Sequence, residues 1–349
     1  MSVADLAFQR NKYKHLSDDE WRWFLQQVEG RERTAEKLPT FAAMEDWWYP
    51  VRLSCEQCSS ELTARYKTSL VSGETMADLT GGYGVDTYFL SERFGHTDYI
   101  EQNEELCRIA THNFADKPIS IHNATAEEFL QTAGQYDLLF LDPARRDSHG
   151  GKVFRLEDCT PNVVDLLPTL LAHGKRLLLK LSPMLDLTQA ILHLTPYTLH
   201  LSWDSYVVAI KNEVKEVLLL SGGSGQITAI DLAKKEQAFV FSREEESAAL
   251  SEYSDYSDYS DKYLYEPNAA ILKAGAYKLI AQRFGLRKLD VNTHLYCSET
   301  LIENFPGRVW QITGERMKGE QANVLCRNYP LTPEQLKKNC TSTMGEQLL

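Results

Sequence analysis

The chain lacks any run of about twenty apolar residues, the length that a membrane-spanning helix requires. Its first residues lack the basic segment and apolar segment of a secretory signal. The seven cysteines are odd in number and scattered, which favours reduced thiols over a disulfide framework. We therefore expect a cytoplasmic protein that has no membrane partner. The sequence does not indicate the oligomeric state.

Positive charge is also scarce, since 37 Lys and Arg face 49 Asp and Glu and leave a net charge of −12. An acidic body does not attract nucleic acid by a long-range field. The deficit is uneven, because residues 262–349 contain 12 basic and 8 acidic side chains, a balance of +4. Any surface that binds RNA is therefore expected in this C-terminal segment.

The sequence contains one possible pair of metal ligands but lacks the second pair that a zinc site needs. Cys55 and Cys58 have the Cys-x-x-Cys spacing of zinc ligands, but no further pair of cysteines or histidines matches them. We therefore predict no metal site.

Helical patterns fill residues 1–68. Ser17 precedes an acidic first turn and an aromatic-rich stretch, as an N-cap residue does. From about residue 74, short apolar strands alternate with helical spans, which is typical of a parallel sheet covered on both faces. The predicted strands are 75–79, 97–101, 118–122, 136–141 and 175–181.

Two later apolar runs, 206–210 and 214–220, are separated by three polar residues and predict an antiparallel hairpin. Five parallel strands followed by a hairpin are the element order of class I methyltransferases. We therefore predict an α/β fold with a Rossmann-like methyltransferase sheet. N-terminal helices would precede it, and a small C-terminal α+β module would follow.

The chain after residue 222 is less regular. Runs 227–232 and 237–241 could pair as strands, and the Tyr-Ser-Asp repeat at 253–261 predicts an exposed connector. A helix is expected over 269–284, ended by Gly285, with short strands at 293–297 and 308–314. A Tyr-rich binding segment is the alternative interpretation of the repeat.

A glycine-rich loop follows the first strand and opens a helix. Its glycines allow a sharp turn and let a ligand approach the backbone. A dinucleotide fingerprint would have a third glycine where Thr87 stands, and it gives no reason for an acid before the turn. Asp78 instead suits the ammonium group of S-adenosylmethionine (SAM). The predicted contacts in this loop are Asp78, Thr80, Gly81, Gly82, Gly84 and Asp86.

Two further strand ends add to this cofactor site. Glu101, followed by Gln102, ends the second strand, and a carboxylate there can accept both ribose hydroxyls. NAD enzymes use an acid in the same way, so Glu101 alone does not choose the cofactor. Asn123 and Ala124 follow the third strand, where a polar loop would meet the adenine edge. The loop lacks the acid that many methyltransferases have there.

The fourth strand leads into Asp142 and Pro143, at the edge where open α/β sheets bind ligands. Amine-modifying methyltransferases place an aromatic residue in a related loop, and Arg145 stands there instead. We predict Asp142, Pro143 and Arg145 as catalytic residues, with Asp142 also near the cofactor. Arg145 or Arg146 would grip a phosphate or form a salt bridge to Asp142, Asp147 or Asp158.

Two other side chains near this loop have alternative interpretations. Cys159 is a candidate nucleophile for carbon methylation or a buried bystander thiol. Lys180 is a charge within an apolar strand, so we expect it to have an acidic partner.

Several of these stretches resemble an uncharacterised bacterial class I SAM-dependent methyltransferase family with C-terminal ferredoxin-like and THUMP-like domains. The matching stretches are 54–61, 78–86, 142–147, 156–162, 180–183 and 263–268. The resemblance implies a ferredoxin-like segment at 263–306 and a THUMP-like module at 307–349. It also implies an RNA substrate, because THUMP domains bind RNA, usually tRNA. A further hairpin is expected after residue 338, so the THUMP-like module is predicted to be truncated.

The predicted domains are a helical region at 1–68, a methyltransferase domain at 69–222, a strand pair and linker at 223–262, and the two C-terminal modules. The leading hypothesis is a methyltransferase of structured RNA, tRNA or rRNA. One alternative is methylation of a small molecule or protein, which the acidic net charge favours. Another is a non-catalytic protein that binds SAM or RNA.

Overall fold

A computed structural model describes most of the chain. The described residues are 6, 9–145, 156–198, 201–233, 238–254, 261–312, 332, 334 and 335. Three predicted features lie wholly or mostly outside them. These are residues 146 and 147 of the predicted Arg-Asp motif, most of the Tyr-Ser-Asp repeat, and most of the predicted THUMP-like module. None of the described helices has the length and apolarity needed to cross a bilayer.

The apolar segments predicted as strands form one large sheet. Its strands are β1 (Gly73–Asp78), β2 (Phe94–Glu101), β3 (Ile119–Asn123), β4 (Tyr136–Leu141), β7 (Gly174–Leu181), β8 (Trp203–Ile210), β9 (Glu213–Ser221), β10 (Ile227–Asp231) and β11 (Phe239–Phe241). Two short strands, β5 (Ala144–Arg145) and β6 (Cys159–Thr160), pair with each other beside it.

The sheet order is β11-β10-β8-β9-β7-β4-β1-β2-β3. Strands β3, β2, β1, β4 and β7 are parallel, and β9 runs antiparallel between β7 and β8. The predicted five parallel strands and closing hairpin are thus confirmed. The predicted strand pair after residue 222 also forms, and it extends the same sheet because β10 pairs with β8.

Alternate strand residues point to opposite faces, so the sheet has a core on each side. One face buries Leu139 and Leu179 among helices that follow the strands, and the other buries Leu138 and Leu178. The helices that follow the strands are α5 (Val85–Leu90), α6 (Glu104–Asn113), α7 (Ala126–Leu130), α8 (Val163–His173) and α9 (Leu187–Leu194).

The N-terminal region is helical, as predicted. Its helices are α1 (Asp18–Thr34), α2 (Pro39–Ala43), α3 (Arg52–Gln57) and α4 (Glu61–Leu70). Ser17 caps α1 in a reciprocal pair of contacts with Glu20. Trp47 donates a hydrogen bond to the Tyr83 hydroxyl at 2.9 Å, and it stacks on Phe41. These contacts attach the N-terminal helices directly to the glycine-rich loop.

The C-terminal module is a second sheet with two helices. Its strands lie in the order β12-β14-β15-β13-β16. They are β12 (Glu252–Tyr253), β13 (Tyr263–Pro267), β14 (Arg287–Lys288), β15 (Tyr296–Ser298) and β16 (Gly307–Gln311), and a short helix, α10 (Arg243–Ala248), precedes them. The first residue of the repeat, Tyr253, therefore belongs to a strand.

Two predictions for this module are wrong in detail. The single helix expected over 269–284 is two helices, α11 (Ala269–Ala274) and α12 (Leu279–Phe284). Gly275 ends the first helix in the left-handed region at φ 83°, where a glycine has no steric penalty. The strand expected at 293–297 begins only at Tyr296, after a turn in which the Thr293 amide donates to the Asp290 carbonyl.

The module is fastened to the large sheet at the hairpin turn between β8 and β9. The side-chain oxygen of Asn212 accepts a hydrogen bond from the Ala269 amide at 2.8 Å, at the first residue of α11. Because Leu181 at the end of β7 pairs with Val217, the turn at Lys211 and Asn212 lies beyond the carboxyl end of β7. The module therefore begins at the edge of the sheet where ligands bind in open α/β folds.

Candidate active site

A cavity of about 530 Å³ opens at the carboxyl ends of β1, β2 and β4. Most of the predicted site residues line it together, although they come from four separate loops. Those that line it are Asp78, Thr80, Gly81, Gly82, Gly84, Asp86, Glu101, Gln102, Ala124 and Asp142.

The glycine-rich loop forms the floor of this cavity. Gly82 and Gly84 have φ values of 55° and 81°, in the region that favours glycine. A Cβ on Gly81 would lie 2.2 Å from Cε2 of Tyr99, whereas a Cβ on Gly82 would meet nothing closer than 3.8 Å. The backbone at Gly82 is therefore open to a ligand, while Gly81 is packed against the sheet.

Asp78 lies at the end of β1 and is almost completely buried. Its carboxylate accepts hydrogen bonds from Thr87 Oγ1 at 2.5 Å and from the Thr80 amide at 3.0 Å. Burial raises the pKa of Asp78 to about 7, against these two hydrogen bonds, which lower it. A cation placed in the cavity would favour the ionised form of this carboxyl group.

Glu101 ends β2 and holds the loop in place. Its Oε2 accepts from the Gly82 amide at 2.9 Å, and its Oε1 accepts from the Asn103 amide at 2.8 Å. Each carboxylate oxygen can accept a further bond, so the group remains able to bind two hydroxyls.

Asn123 is placed differently from the expectation. Its side-chain amide donates to the Glu101 carbonyl at 3.0 Å, and it is not among the described residues that line the cavity. The adjoining wall consists of Ala124 and the start of α7, including Glu127. An acid is therefore present at this wall, four residues beyond the predicted position. The acidic first turn of α7 was the signal for it in the sequence.

Asp142 and Lys180 meet at the other side of the cavity. The Asp142 amide donates to Thr80 Oγ1 at 2.7 Å, and Lys180 Nζ lies 2.5 Å from Asp142 Oδ2. The expected acidic partner of Lys180 is thereby confirmed. Burial alone would lower the pKa of Lys180, but the carboxylates of Asp142 and Asp86 raise it above its ordinary value.

Pro143 and Arg145 follow Asp142. Pro143 is half-buried and is not among the described residues that line the cavity. The backbone of Arg145 pairs with Cys159 between β5 and β6, and its side chain lies outside the described part of the structure. Cys159 itself is buried behind Thr160 and Pro161, which line the cavity.

A cluster of buried charges lies behind Lys180. Asp86 Oδ2 is 3.4 Å from Lys180 Nζ, and Asp86 Oδ1 is 3.2 Å from Lys67 Nζ. Lys67 also reaches Glu216 on β9 at 2.7 Å. Burial alone would raise the pKa of Asp86, but the ammonium groups of Lys67 and Lys180 outweigh it and lower the pKa. Asp86, a residue of the glycine-rich motif, thus lines the cavity while its carboxylate pairs with Lys67 and Lys180.

The N-terminal helices supply a wall that the sequence did not predict. Ser54, Gln57, Cys58 and Ser59 line the cavity, and Ser59 donates to Asp86 Oδ2 at 2.6 Å. Burial raises the pKa of the Cys58 thiol, so this cysteine is poorly suited to act as a thiolate. Only the resemblance of residues 54–61 to a known family pointed to this segment.

Comparison with known proteins identifies the family. A crystal structure of a "putative methyltransferase" from Porphyromonas gingivalis W83 is 33% identical, with a TM-score of 0.79 over 95% of this chain and 86% of that chain. An "uncharacterized S-adenosylmethionine-dependent methyltransferase" of Mycobacterium tuberculosis, strains CDC 1551 and H37Rv, is 22% identical over 271 residues, 77% of this chain and 71% of the relative. The chain belongs to this methyltransferase family.

The methyltransferase also has a C-terminal ferredoxin-like domain, because a family model of that description matches residues 263–306. Its cofactor is SAM, as the sequence predicted. The cavity fits this cofactor, since it joins an open backbone at Gly82 to carboxylates at Asp78 and Glu101. These groups match the polar parts of SAM, which are an ammonium, a carboxylate and a ribose.

Proposed function

We propose that this SAM-dependent methyltransferase modifies structured RNA, either tRNA or rRNA. The observation that carries the proposal is the position of α11, the first helix of the basic C-terminal segment. Residues 262–349 have a charge balance of +4 in a chain whose net charge is −12. Their first helix, α11, begins at Ala269, whose amide donates to Asn212 at the edge of the sheet where the cavity opens.

The cofactor would be held by the residues around the glycine-rich loop. Asp78 pairs with its ammonium group, and Gly82, which has no side chain, lets its methionine part lie close to the loop. Glu101 accepts the ribose hydroxyls, and Ala124 contacts the adenine. Asn123 contributes indirectly by holding the end of β2. When bound, SAM supplies an electrophilic methyl group, and the chain has to align an acceptor atom with it.

Asp142 is the residue that we assign to the acceptor. Its side chain is 38% exposed, lines the cavity and pairs with Lys180, while its backbone amide donates a hydrogen bond to Thr80 Oγ1. A carboxylate in this position orients a polar acceptor and accepts a proton from it. Pro143 stiffens the loop that follows, because its ring fixes φ.

RNA binding would use phosphate contacts from the ferredoxin-like domain. Lys273 on α11 is within the electrostatic influence of Asp186, the N-cap residue of α9, in the segment that follows β7. Burial lowers the pKa of Lys273 and Asp186 opposes this effect. A phosphate bound by Lys273 would lie at the end of the sheet where the cavity opens, and the target nucleotide would be turned out toward Asp142.

A second candidate is methylation of a small molecule or a protein, with the C-terminal domain as a lid or a dimer surface. The net charge of −12 favours it, because long-range repulsion opposes the binding of a polyanion.

The deciding experiment measures transfer of labelled methyl groups from SAM to tRNA, rRNA, protein and small molecules of cells that lack the gene. We expect label in one RNA fraction. In binding assays, Lys273→Gln should lower the salt slope of RNA affinity by about 1. The control Lys175→Gln, at the opposite edge of the sheet, should leave the slope unchanged. Absence of both RNA labelling and RNA binding at low salt would refute the proposal.

A further inference from the structure

The cavity presents a cation and a carboxylate side by side to any methyl acceptor. Lys180 and Asp142 both line it, with Nζ and Oδ2 2.5 Å apart. Their side chains are 12% and 38% exposed, so Asp142 is the outer and Lys180 the inner member of the pair. An acceptor that approaches Asp142 therefore also meets the field of a fixed ammonium group.

Carboxylates on three neighbouring elements keep the ammonium group of Lys180 in its charged form. Asp142 follows β4, Asp86 lies on α5, and Glu216 on β9 adds a further negative charge. Lys67 on α4 occupies the space between Asp86 and Glu216 and binds both. Neither of these two carboxylates is left unpaired, and Lys180 keeps its proton while it points toward the cavity.

The charges that develop during methyl transfer depend on the acceptor atom. A neutral nitrogen becomes positive as it takes the methyl group, so a neighbouring ammonium raises the energy of its transition state. A hydroxyl oxygen has to lose its proton and gains negative character while it does so. A fixed cation that stabilises the oxygen and a carboxylate that receives the proton are the two groups this acceptor needs.

Carbon and base acceptors find little support among the described residues. Carbon methylation of a pyrimidine needs a thiolate nucleophile. Burial raises the pKa of the Cys58 thiol, and Cys159 is buried outside the lining. A flipped base is usually held by stacking between aromatic or apolar side chains. The aromatic residues described in the lining, Tyr83 and Phe140, are both buried in the core.

We propose that the methyl acceptor is a 2′-hydroxyl group of RNA ribose, bound by Lys180 Nζ and deprotonated by Asp142. This inference rests on the proposed RNA substrate and names the atom within it. The hydroxyl oxygen forms a bond to the methyl carbon as the carbon–sulfur bond breaks, and the electron pair of that bond remains on the sulfur. The hydroxyl proton passes to Asp142 and then to water, and Lys180 keeps its own protons.

The closing experiment identifies the methylated atom. RNA labelled by the enzyme is digested to nucleosides, and a second portion is hydrolysed in alkali. A methyl group on the 2′-oxygen appears on ribose and leaves an alkali-resistant dinucleotide, because alkaline cleavage needs a free 2′-hydroxyl. Label on a base overturns the inference and leaves the RNA substrate standing. Absence of label from every RNA overturns both.

Variants of Lys180 test its role. We expect Lys180→Met to reduce methyl transfer by about a hundredfold or more, the usual range for loss of a group that stabilises a developing negative charge. Its affinity for S-adenosylhomocysteine should remain within about threefold of the parent, since Lys180 is not assigned to the cofactor. Lys175→Met, an exposed lysine on the same strand, should keep full activity.

A binding measurement provides a readout that does not depend on turnover. RNA containing the mapped site is compared with the same RNA carrying a 2′-deoxy nucleotide there, both in the presence of S-adenosylhomocysteine. The parent protein should prefer the ribose, and Lys180→Met and Lys180→Gln should lose that preference. Equal binding of both RNAs by the parent protein would overturn the Lys180 contact, even if one variant failed to fold.

Discussion

The ammonium group of Lys67 lies 2.7 Å from both carboxylate oxygens of Glu216, although 149 residues separate them in the sequence. Both side chains are almost completely buried. The pair joins helix α4 of the N-terminal region to strand β9 of the closing hairpin. It therefore fixes the N-terminal wall of the cavity to the sheet directly behind Lys180 and Asp86.

Replacement of Lys67 by methionine should destabilise the protein. The change leaves Glu216 and Asp86 without their shared cation in a buried site, and loss of one partner of a buried ion pair costs about 3–5 kcal/mol. The free energy of unfolding, measured in urea, gives the effect. The double variant Lys67→Met/Glu216→Leu should recover part of the loss, because it removes a stranded carboxylate. A single variant as stable as the parent would contradict this account.

Gly81→Ala should disturb the cofactor loop. Its Cβ would lie 2.2 Å from Tyr99, a buried side chain whose hydroxyl is bonded to the Gly82 carbonyl. Such overpacking costs about 1–3 kcal/mol and should weaken SAM binding as well. The matched control is Gly134→Ala, whose Cβ meets nothing within 4 Å. Thermal unfolding of both variants is the measurement, and similar melting temperatures would show that the loop tolerates the shift.

Glu101→Gln should weaken cofactor binding while keeping the contact to the glycine-rich loop. The side-chain oxygen of glutamine can still accept from the Gly82 amide, but its NH2 group cannot accept from the Asn103 amide. The variant also loses the charge that strengthens bonds to the ribose hydroxyls. Loss of a hydrogen bond to a charged group costs about 1.5–3 kcal/mol, or roughly tenfold to a hundredfold in affinity. Calorimetry with S-adenosylhomocysteine measures this. Glu105→Gln, at an exposed residue of α6, should bind like the parent.

Cofactor affinity should depend on pH through Asp78. Because burial raises its pKa to about 7, the carboxyl group is mostly protonated below that pH, and binding of an ammonium group has to release the proton. Affinity for S-adenosylhomocysteine should therefore rise about tenfold per pH unit up to about pH 7 and then level off. Titrations from pH 5.5 to 7.5 test the slope. Asp78→Asn should bind weakly and without this dependence.

The raised pKa of Asp78 also affects the stability of the cofactor-free protein, and here the effect of pH has the opposite sign. The folded state holds a proton on Asp78 more tightly than the unfolded chain, whose carboxyl group has an ordinary pKa of 3.8. This residue therefore lowers the free energy of unfolding as pH rises from about 4 to about 7. Urea unfolding of the parent and of Asp78→Asn across this range isolates its contribution. Identical pH profiles for the two proteins would rule it out.

Much of the fold could be predicted because its strands are short apolar runs separated by helical spans. Each of the five parallel strands appears within three residues of its expected bounds. The site was partly predictable for the same reason, since Asp78, Glu101 and Asp142 lie at the carboxyl ends of the parallel strands β1, β2 and β4. Carboxyl ends of such strands meet at one edge, so their side chains had to converge.

The rest depends on contacts that no local pattern records. Ser59 reaches Asp86 from a separate helical region, and Glu216 looks like an exposed strand residue until Lys67 is placed beside it. Asn123 is polar in the expected loop, but its amide is used to hold the Glu101 carbonyl. Gly275 separates two helices where the sequence predicted one. The glycine did not reveal the break, because apolar residues on both sides of it continue the helical period.

The hydrogen bond from the Ala269 amide to Asn212 fixes the C-terminal domain to the hairpin turn of the large sheet. A helix fastened at its first residue to the catalytic sheet cannot slide along it, so the domain that follows is set at one distance from Asp142. For the proposed RNA substrate, such a joint would act as a ruler. It would select targets by the number of nucleotides between the bound part of the RNA and the modified nucleotide.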